Sequence, residues 1–273
     1  MCLSIASLNS GSNGNCYYIG NEREAVLVDA GISCRETETR MKRLGLSMHK
    51  VKAVFISHEH SDHIRGVEVL AKKHRLPVYI TPLTYQRGSL FLDDSLMFSF
   101  HAHQPVAIGS LLITAFPKLH DAAHPHSFIV SCNNIKVGVF TDIGAPCENV
   151  ITHFKQCHAA FLEANYDEEM LENGRYPFHL KRRIRGGNGH LSNAQALDIF
   201  INHKAAHLTH LLLAHLSQDN NNPELVHNLF ETHARETIVA VASRFKESQV
   251  YTIGEPVNQP VKQKDGQVQF SLF

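Results

Sequence analysis

His58-Glu59-His60-Ser61-Asp62-His63 packs three imidazoles and one carboxylate into six residues. It follows directly on Val51-Lys52-Ala53-Val54-Phe55-Ile56-Ser57, an apolar run that reads as a buried strand. Imidazole and carboxylate are ligands for divalent metals, and a loop leaving a strand combines rigid support with open coordination positions. His58 and His60 stand two apart and share a direction while the backbone is extended. Asp62 and His63 come one turn later and point elsewhere. Two adjacent ions accommodate all four groups better than one. Two-metal hydrolases hold their ions roughly 3.5–4 Å apart and share a hydroxide between them. The expectation is a metal-dependent hydrolase with two divalent ions. Imidazole-rich ligation suits zinc, and manganese or iron would also fit.

Such a pair needs further ligands from distant chain. His120-Asp121 follows a strand ending at Phe116, Asp142 follows Val137-Gly138-Val139-Phe140-Thr141, and His215 follows Leu211-Leu212-Leu213-Ala214. All repeat the strand-then-ligand pattern. Plainer readings exist for each: Asp142 as a helix cap before Pro146, His215 as the end of a strand, His124 and His126 as surface imidazoles beside His120. His190 lies in Gly186-Gly187-Asn188-Gly189-His190. It is either part of a flexible loop ending at the cap Ser192, or a group brought to the metals to bind a phosphoryl oxygen or donate a proton. Lys181-Arg182-Arg183-Ile184-Arg185 is either a solvated helix face or a phosphate-binding surface. Ser10 to Asn15 is either an ordinary turn or a set of backbone donors lining the site. Glu163, at a strand end, is placed to orient a ligand or His190.

The elements around these residues follow from patterning. Strands are expected at 3–8, 16–19 and 25–29, and Ser33-x-x-Glu36 reads as a capping box for a helix ending at Gly45. A helix at 64–74, a strand at 78–81 and a helix near 82–90 come next. Strands at 96–101, 105–108, 111–116, 126–132 and 135–141 follow, with Asn133-Asn134 as a hairpin turn. Beyond Asp142 helices and strands alternate: helices at 146–155, 167–172, 177–184, 192–203 and 223–233, strands at 158–163, 208–213 and 237–241. This order suggests two packed sheets with helices outside, their ligand loops meeting at one edge. Residues 1–250 read as one domain. The tail from 251 reads as a loose terminal strand pair or partial disorder.

The chain has 273 residues, and its 26 basic and 26 acidic residues cancel. An anionic partner must therefore be held by a local patch rather than by net charge. The six cysteines lack a C-x-x-C pair, which argues against a disulfide scaffold or a zinc finger. No apolar run approaches the length of a membrane span, and the first residues lack the pattern of a secretory signal. A cytoplasmic location is the simplest expectation.

H-x-H-x-D-H, a later His, a strand-terminal Thr-Asp and a final strand-terminal His resemble the metallo-β-lactamase superfamily across nearly the whole chain. Ser10-Gly11-Ser12-Asn13-Gly14-Asn15-Cys16, Thr141-Asp142-Ile143-Gly144, Glu163-Ala164-Asn165, Gly189-His190-Leu191-Ser192-Asn193 and His215-Leu216-Ser217 with Asn220-Asn221 are similar to the YycJ/WalJ subfamily, regarded as exonuclease-like enzymes acting on DNA with a suggested repair role. Tyr166 and His124 depart from it, where a His and an acidic residue are expected. The resemblance implies an α/β (α+β) fold, a four-layer αββα sandwich. It implies that His58, His60 and His120 hold one metal, that Asp62, His63 and His215 hold the other, and that Asp142 bridges them. Asp62 and His190 would be catalytic, with Glu163 and Asp121 supporting the ligands. Candidate substrate contacts are Ser10, Ser12, Asn13, Asn15, Asn165, Lys181, Arg182, Arg185, Ser192, Ser217, Asn220 and Asn221. The leading function is hydrolysis of DNA phosphodiesters, with DNA as partner. The alternative is a small ester, thioester or lactam hydrolase on the same fold. A di-iron electron-transfer protein would carry Glu in place of His60 and a flavin-binding partner domain. A regulatory protein without turnover would have no need of the full ligand set.

Overall fold

The computed structural model describes residues 2–254. The first sheet opens with β1 (Leu3–Asn9), β2 (Cys16–Gly20), β3 (Ala25–Val28), β4 (Val51–Phe55), β5 (Val78–Tyr79) and β6 (Met97–Phe98). The second holds β7 (Pro105–Ile108), β8 (Leu111–Pro117), β9 (His126–Cys132), β10 (Ile135–Phe140), β11 (Ala159–Glu163), β12 (His210–Ala214) and β13 (Ile238–Val241). The chain then returns to the first sheet as β14 (Tyr251–Ile253), antiparallel to β1. The strand orders are β14-β1-β2-β3-β4-β5-β6 and β13-β12-β11-β10-β9-β8-β7.

Strands such as Ala159–Glu163 and His210–Ala214 are buried along their whole length. That is why they read as continuous apolar runs rather than as alternation. One set of side chains, including Val28, Phe55, Phe128, Val139, Phe161 and Leu212, fills the space between the sheets. The opposite faces pack under helices. α1 (Cys34–Arg43) and α3 (Val67–His74) cover the first sheet, while α5 (Glu148–Phe154), α8 (Asn193–His203) and α9 (Pro223–Glu231) cover the second. The result is the expected αββα sandwich. Each large apolar side chain buried this way contributes roughly 1.5–3 kcal/mol.

The one-turn α2 (Ser61–Ile64), α4 (Pro82–Gly88), α6 (Glu168–Asn173) and α7 (Phe178–Arg185) complete the helices. The expected helix at 64–74 is divided between α2 and α3. Gly66 lies so close to the 30–32 loop that a Cβ there would stand 1.9 Å from Ile32 O. Its N–H donates to Ala30 O at 2.8 Å instead of continuing a helix. The expected strand at 96–101 contracts to Met97–Phe98 at a sheet edge. Ser33 caps α1 through Glu36 N, but the reciprocal half of the capping box is not made, because Glu36 pairs with Arg40 at 2.7 Å. The Asn133-Asn134 hairpin turn forms, with Asn133 left-handed at φ 51°. At the tail, β14 pairs with β1 rather than with a second tail strand, and residues 255–273 lie outside the described residues.

Candidate metal centre

β3, β4, β10, β11 and β12 end at one edge of the sandwich, and each hands a polar side chain to the same place. Asp29 follows β3, the His58–His63 loop follows β4, Asp142 comes after β10, Glu163 closes β11, and His215 follows β12. His120 joins them from the loop after β8. Asp29, Asp142 and His215 have left-handed backbones, with φ of 60°, 54° and 55°. That conformation costs an L-residue roughly 1–2 kcal/mol. It turns the chain sharply where each strand stops, and such strain gathers at functional sites.

Three ring nitrogens converge first. His60 Nδ1 lies 3.0 Å from His58 Nε2 and 3.3 Å from His120 Nε2. Ligand atoms set tetrahedrally about zinc at about 2.0–2.1 Å would be about 3.3 Å apart. The far nitrogens of His120 and His58 are occupied. His120 Nδ1 donates to Gly189 O at 3.0 Å, and His58 Nδ1 lies 2.9 Å from Ser57 Oγ, which donates to Asp29 Oδ2 at 2.8 Å. Nε2 of each ring is thereby left as the lone-pair nitrogen. Beside this trio stands a second: Asp62 Oδ2 lies 3.5 Å from both His63 Nε2 and His215 Nε2. His63 Nδ1 donates to Asp29 Oδ2 at 2.7 Å, and His215 Nδ1 to Glu163 Oε1 at 2.9 Å. Asp142 touches both groups, with Oδ2 3.0 Å from His63 Nε2 and Oδ1 3.7 Å from His120 Nε2. Asp142 Oδ2 and His215 Nε2 are buried without a hydrogen bond. Buried polar atoms are rarely left so. Orphaned acceptors among converging lone pairs fit divalent cations.

Charge points the same way. Burial opposes ionisation of Asp142, but His215 and His63 overcome it and hold the carboxyl well below its ordinary range. The same competition, won by His190 and His215, brings Glu163 to about 2. Burial disfavours the His215 cation, yet Asp142, Asp62 and Glu163 raise it to about 10. His63 is raised well above 6.5 against its own burial by Asp142, Asp29 and Asp62. Protons here do the work of cations among clustered carboxylates. Burial keeps His58 neutral and brings His120 down to about 4.

His190 Nδ1 donates to Glu163 Oε1 at 2.8 Å, while Glu163 Oε2 accepts Ile143 N and Leu191 N at 2.7 and 3.2 Å. His190 lines a cavity of about 260 Å³ with Ser12, His60, Asp62, Arg183 and His215. Asp121 accepts from Arg183 Nε at 2.5 Å, so it steadies that cation rather than the Nδ1 side of His120.

Most of the polar loop residues expected to face substrate are instead buried in scaffolding. Ser10 Oγ accepts from His215 N at 2.7 Å. Asn15 Nδ2 reaches Asp62 Oδ2 and His63 Nε2, both at 3.1 Å. Asn165 donates to His215 O, Asn221 to Ala164 O, and Ser192 caps α8. Buried Asn220 bonds Ser217 Oγ through its N–H. Lys181 and Arg185 are drawn to Glu172. Ser12, Asn13 and Arg182 are exposed, and of these Ser12 lines the cavity. Asp29 and Lys118 escaped the sequence reading, and Arg183 was read within the basic run without being singled out. Asp29 ends Val26-Leu27-Val28 and so carries the same strand-then-ligand signal as Asp142. Lys118 is buried, its Nζ donating to Thr141 O at 2.6 Å, and burial lowers its pKa. Tyr166 packs with Leu171 and Ile184, and His124 is exposed.

The model of the β-lactamase superfamily domain matches residues 24–215, which span the whole cluster from Asp29 to His215. The chain belongs to the β-lactamase superfamily. Within the superfamily it is 37% identical over 230 residues to exodeoxyribonuclease YycJ of Bacillus anthracis, covering 82% of this chain and 86% of that protein. It is 31% identical over 244 residues to exodeoxyribonuclease WalJ of Streptococcus pneumoniae serotype 2, covering 88% and 91%. Among solved structures, the metallo-β-lactamase fold protein YhfI from Bacillus subtilis superposes with a TM-score of 0.72 at 18% identity, covering 92% of this chain and 99% of that one. Zinc-bound PqqB from Methylobacterium extorquens gives 0.70 at 12%, covering 92% and 100%. These two share the superfamily fold.

Proposed function

We propose that this protein is a metal-dependent phosphodiesterase acting on DNA as an exonuclease. His58, His60 and His120 would hold one ion, Asp62, His63 and His215 a second, and Asp142 both. The carrying observation is the pairing of two ligand trios around Asp142 with a cavity that presents Arg183 and His190. Two relatives covering most of the chain bear the name exodeoxyribonuclease, which favours DNA over a small ester, thioester or lactam. Imidazole predominance favours zinc.

Divalent ions bound here would lower the pKa of water toward neutrality and offset charge on the phosphoryl oxygens. The chain's own groups do the rest. Asp62, whose carboxylate is 16% exposed at the cavity, takes the proton of the attacking water. Arg183, steadied by Asp121, binds a non-bridging oxygen. His190, fixed through Nδ1 by Glu163, donates a proton to the leaving oxygen. Glu163 thereby orients one imidazole of the metal cluster and one of the acid–base machinery. The two sheets share one interior, which supports residues 1–250 acting as one unit closed by β14. Among the described residues no helix is long and apolar enough to cross a membrane. A cytoplasmic location is part of the proposal.

The test is digestion of end-labelled single- and double-stranded DNA and RNA by protein of defined metal content, with a thioester as control. Stepwise loss of DNA nucleotides is expected. Turnover of the thioester alone would overturn the assignment.

A further inference from the structure

We propose that the loop Arg244-Phe245-Lys246 is a stacking subsite for the single strand of the nucleic acid whose end is hydrolysed. The proposal rests on the nuclease reading above. Phe245 is 75% exposed and has a cation on either side in sequence. A side chain of this kind at a floppy loop tip would carry little meaning. This loop is fixed. Asn13 Nδ2 donates to Arg244 O at 2.8 Å, Arg40 Nη2 to Phe245 O at 3.2 Å, and Arg43 Nε binds Glu247 at 2.7 Å. The aromatic ring is therefore held out in solvent by an anchored backbone.

The loop borders a cavity of about 300 Å³ whose wall includes Leu216, Pro223, Val241, Arg244, Phe245 and Lys246. That cavity adjoins the catalytic one. Leu216 directly follows His215, and Ser12 on the catalytic wall accepts from Arg244 Nη2 at 3.3 Å. Arg244 also lies 5.9 Å from the centre of the Phe245 ring. Its Nη1 is buried with no hydrogen-bond partner among the described residues. A guanidinium nitrogen short of an acceptor beside an exposed ring and the exposed Lys246, which has no ion-pair partner among the described residues, matches one ligand chemistry. It is alternating phosphate and base, the pattern by which proteins bind single strands without reading sequence. A strand with its terminal phosphodiester at His190 and Arg183 would pass Ser12, place a phosphate on Arg244 and stack a base on Phe245.

The experiment compares wild type with Phe245→Ala, Phe245→Trp and Lys246→Ala, all metal-loaded. Substrates are a bis-aryl phosphodiester, dinucleotides and oligo-dT of increasing length. The subsite predicts that Phe245→Ala leaves the aryl diester unchanged. It raises KM for longer oligo-dT by about 5- to 100-fold with little change in kcat, the scale of one lost stacking contact, and Phe245→Trp restores it. Lys246→Ala lowers the salt dependence of KM by about 0.7 in logarithmic slope, one single-strand phosphate contact. Equal KM for wild type and Phe245→Ala at every length overturns the subsite. So does parallel loss on aryl diester and oligo-dT that Trp does not restore, as when the ring is structural. Fluorescence of an oligonucleotide carrying 2-aminopurine is quenched on stacking and reads the contact without cleavage. If wild type fails to cut DNA, the nuclease reading falls. Quenching lost in Phe245→Ala would then still support the subsite, and unchanged quenching would remove it.

Discussion

Asp29 Oδ2 accepts His63 Nδ1 at 2.7 Å, and the same oxygen accepts the Ser57 hydroxyl that supports His58. One buried carboxylate thus orients an imidazole in each trio. Asp29→Asn is nearly the same shape but can place an amide donor against His63 Nδ1. The ring would then keep its proton on Nε2, the nitrogen facing the cluster. Metal affinity is expected to fall roughly 10–100-fold, the usual cost of losing such a partner. Chelator competition measures it, and unchanged affinity would show that Asp29 only packs.

Asp142 approaches the inward-facing nitrogens of both trios, 3.0 Å from His63 Nε2 and 3.7 Å from His120 Nε2. Asp142→Ala is expected to reduce metal content at both positions and abolish turnover. Elemental analysis of gently purified protein should give close to two equivalents for wild type. A full complement of metal with normal rates in the variant would remove the bridging assignment.

His190 is anchored by Glu163 and belongs to neither ligand trio, although its ring lies beside that of His215, so its removal is expected to separate catalysis from metal binding. His190→Ala should keep metal content and fold while losing roughly 10²–10⁴-fold in kcat, the range for a positioned acid or base. An aryl leaving group, which needs no proton, should recover much of that loss if the ring is the acid. It recovers little if the ring only binds phosphate.

The metal-free protein should lose stability as pH rises. His215 sits near 10 when folded, above the roughly 6.5 of a free imidazole. Its cation therefore favours the folded chain fully below pH ~6.5, and that contribution disappears as pH climbs toward about 10. His63 adds to the trend in the same direction. Metal displaces these protons, so loaded protein should show a flatter profile above pH ~6.5. Urea unfolding of both forms across this window decides it, and parallel curves would contradict the picture.

Gly31 tests the footing of the ligand loop. A Cβ there would stand 1.6 Å from Asp62 O, a backbone atom that cannot swing aside. Gly31→Ala should destabilise the fold by about 3 kcal/mol, near the top of single-substitution effects. It should also weaken metal binding, because the displaced segment carries Asp62 and His63. Normal unfolding and normal metal uptake would mean that the 29–33 loop yields freely.

Much of this was legible in the chain because buried strands leave long apolar runs, and ligands follow where the runs stop. His58, Asp142 and His215 all announce themselves so. Asp29 does too, yet it lies outside the dense motif and its role depends on a partner 34 residues away. Ser10, Asn15, Asn165 and Asn221 show the opposite difficulty. A polar loop side chain has the same appearance in sequence whether it meets substrate or satisfies a buried backbone group; here each makes such a backbone bond, and Ser10 and Asn221 also line the cavity beside Phe245. On α7 the basic run was visible, but helix phase was not. Arg183 faces the cavity while Lys181 and Arg185 turn to Glu172. The break at Gly66 was hidden because it answers to a distant loop.

β1 and β14 lie at opposite ends of the described chain and pair as neighbours, Leu3 against Ile253. During synthesis β1 emerges first and waits as a bare edge until more than two hundred later residues have left the ribosome. The side chains of the cluster are equally scattered, from Asp29 to His215, so no early fragment can gather them. An interrupted product ending before position 215 holds the conspicuous histidine loop but not its completing imidazole. Under the proposed ligation, unfinished copies would lack one ligand of the second metal position, by the order in which the chain is made.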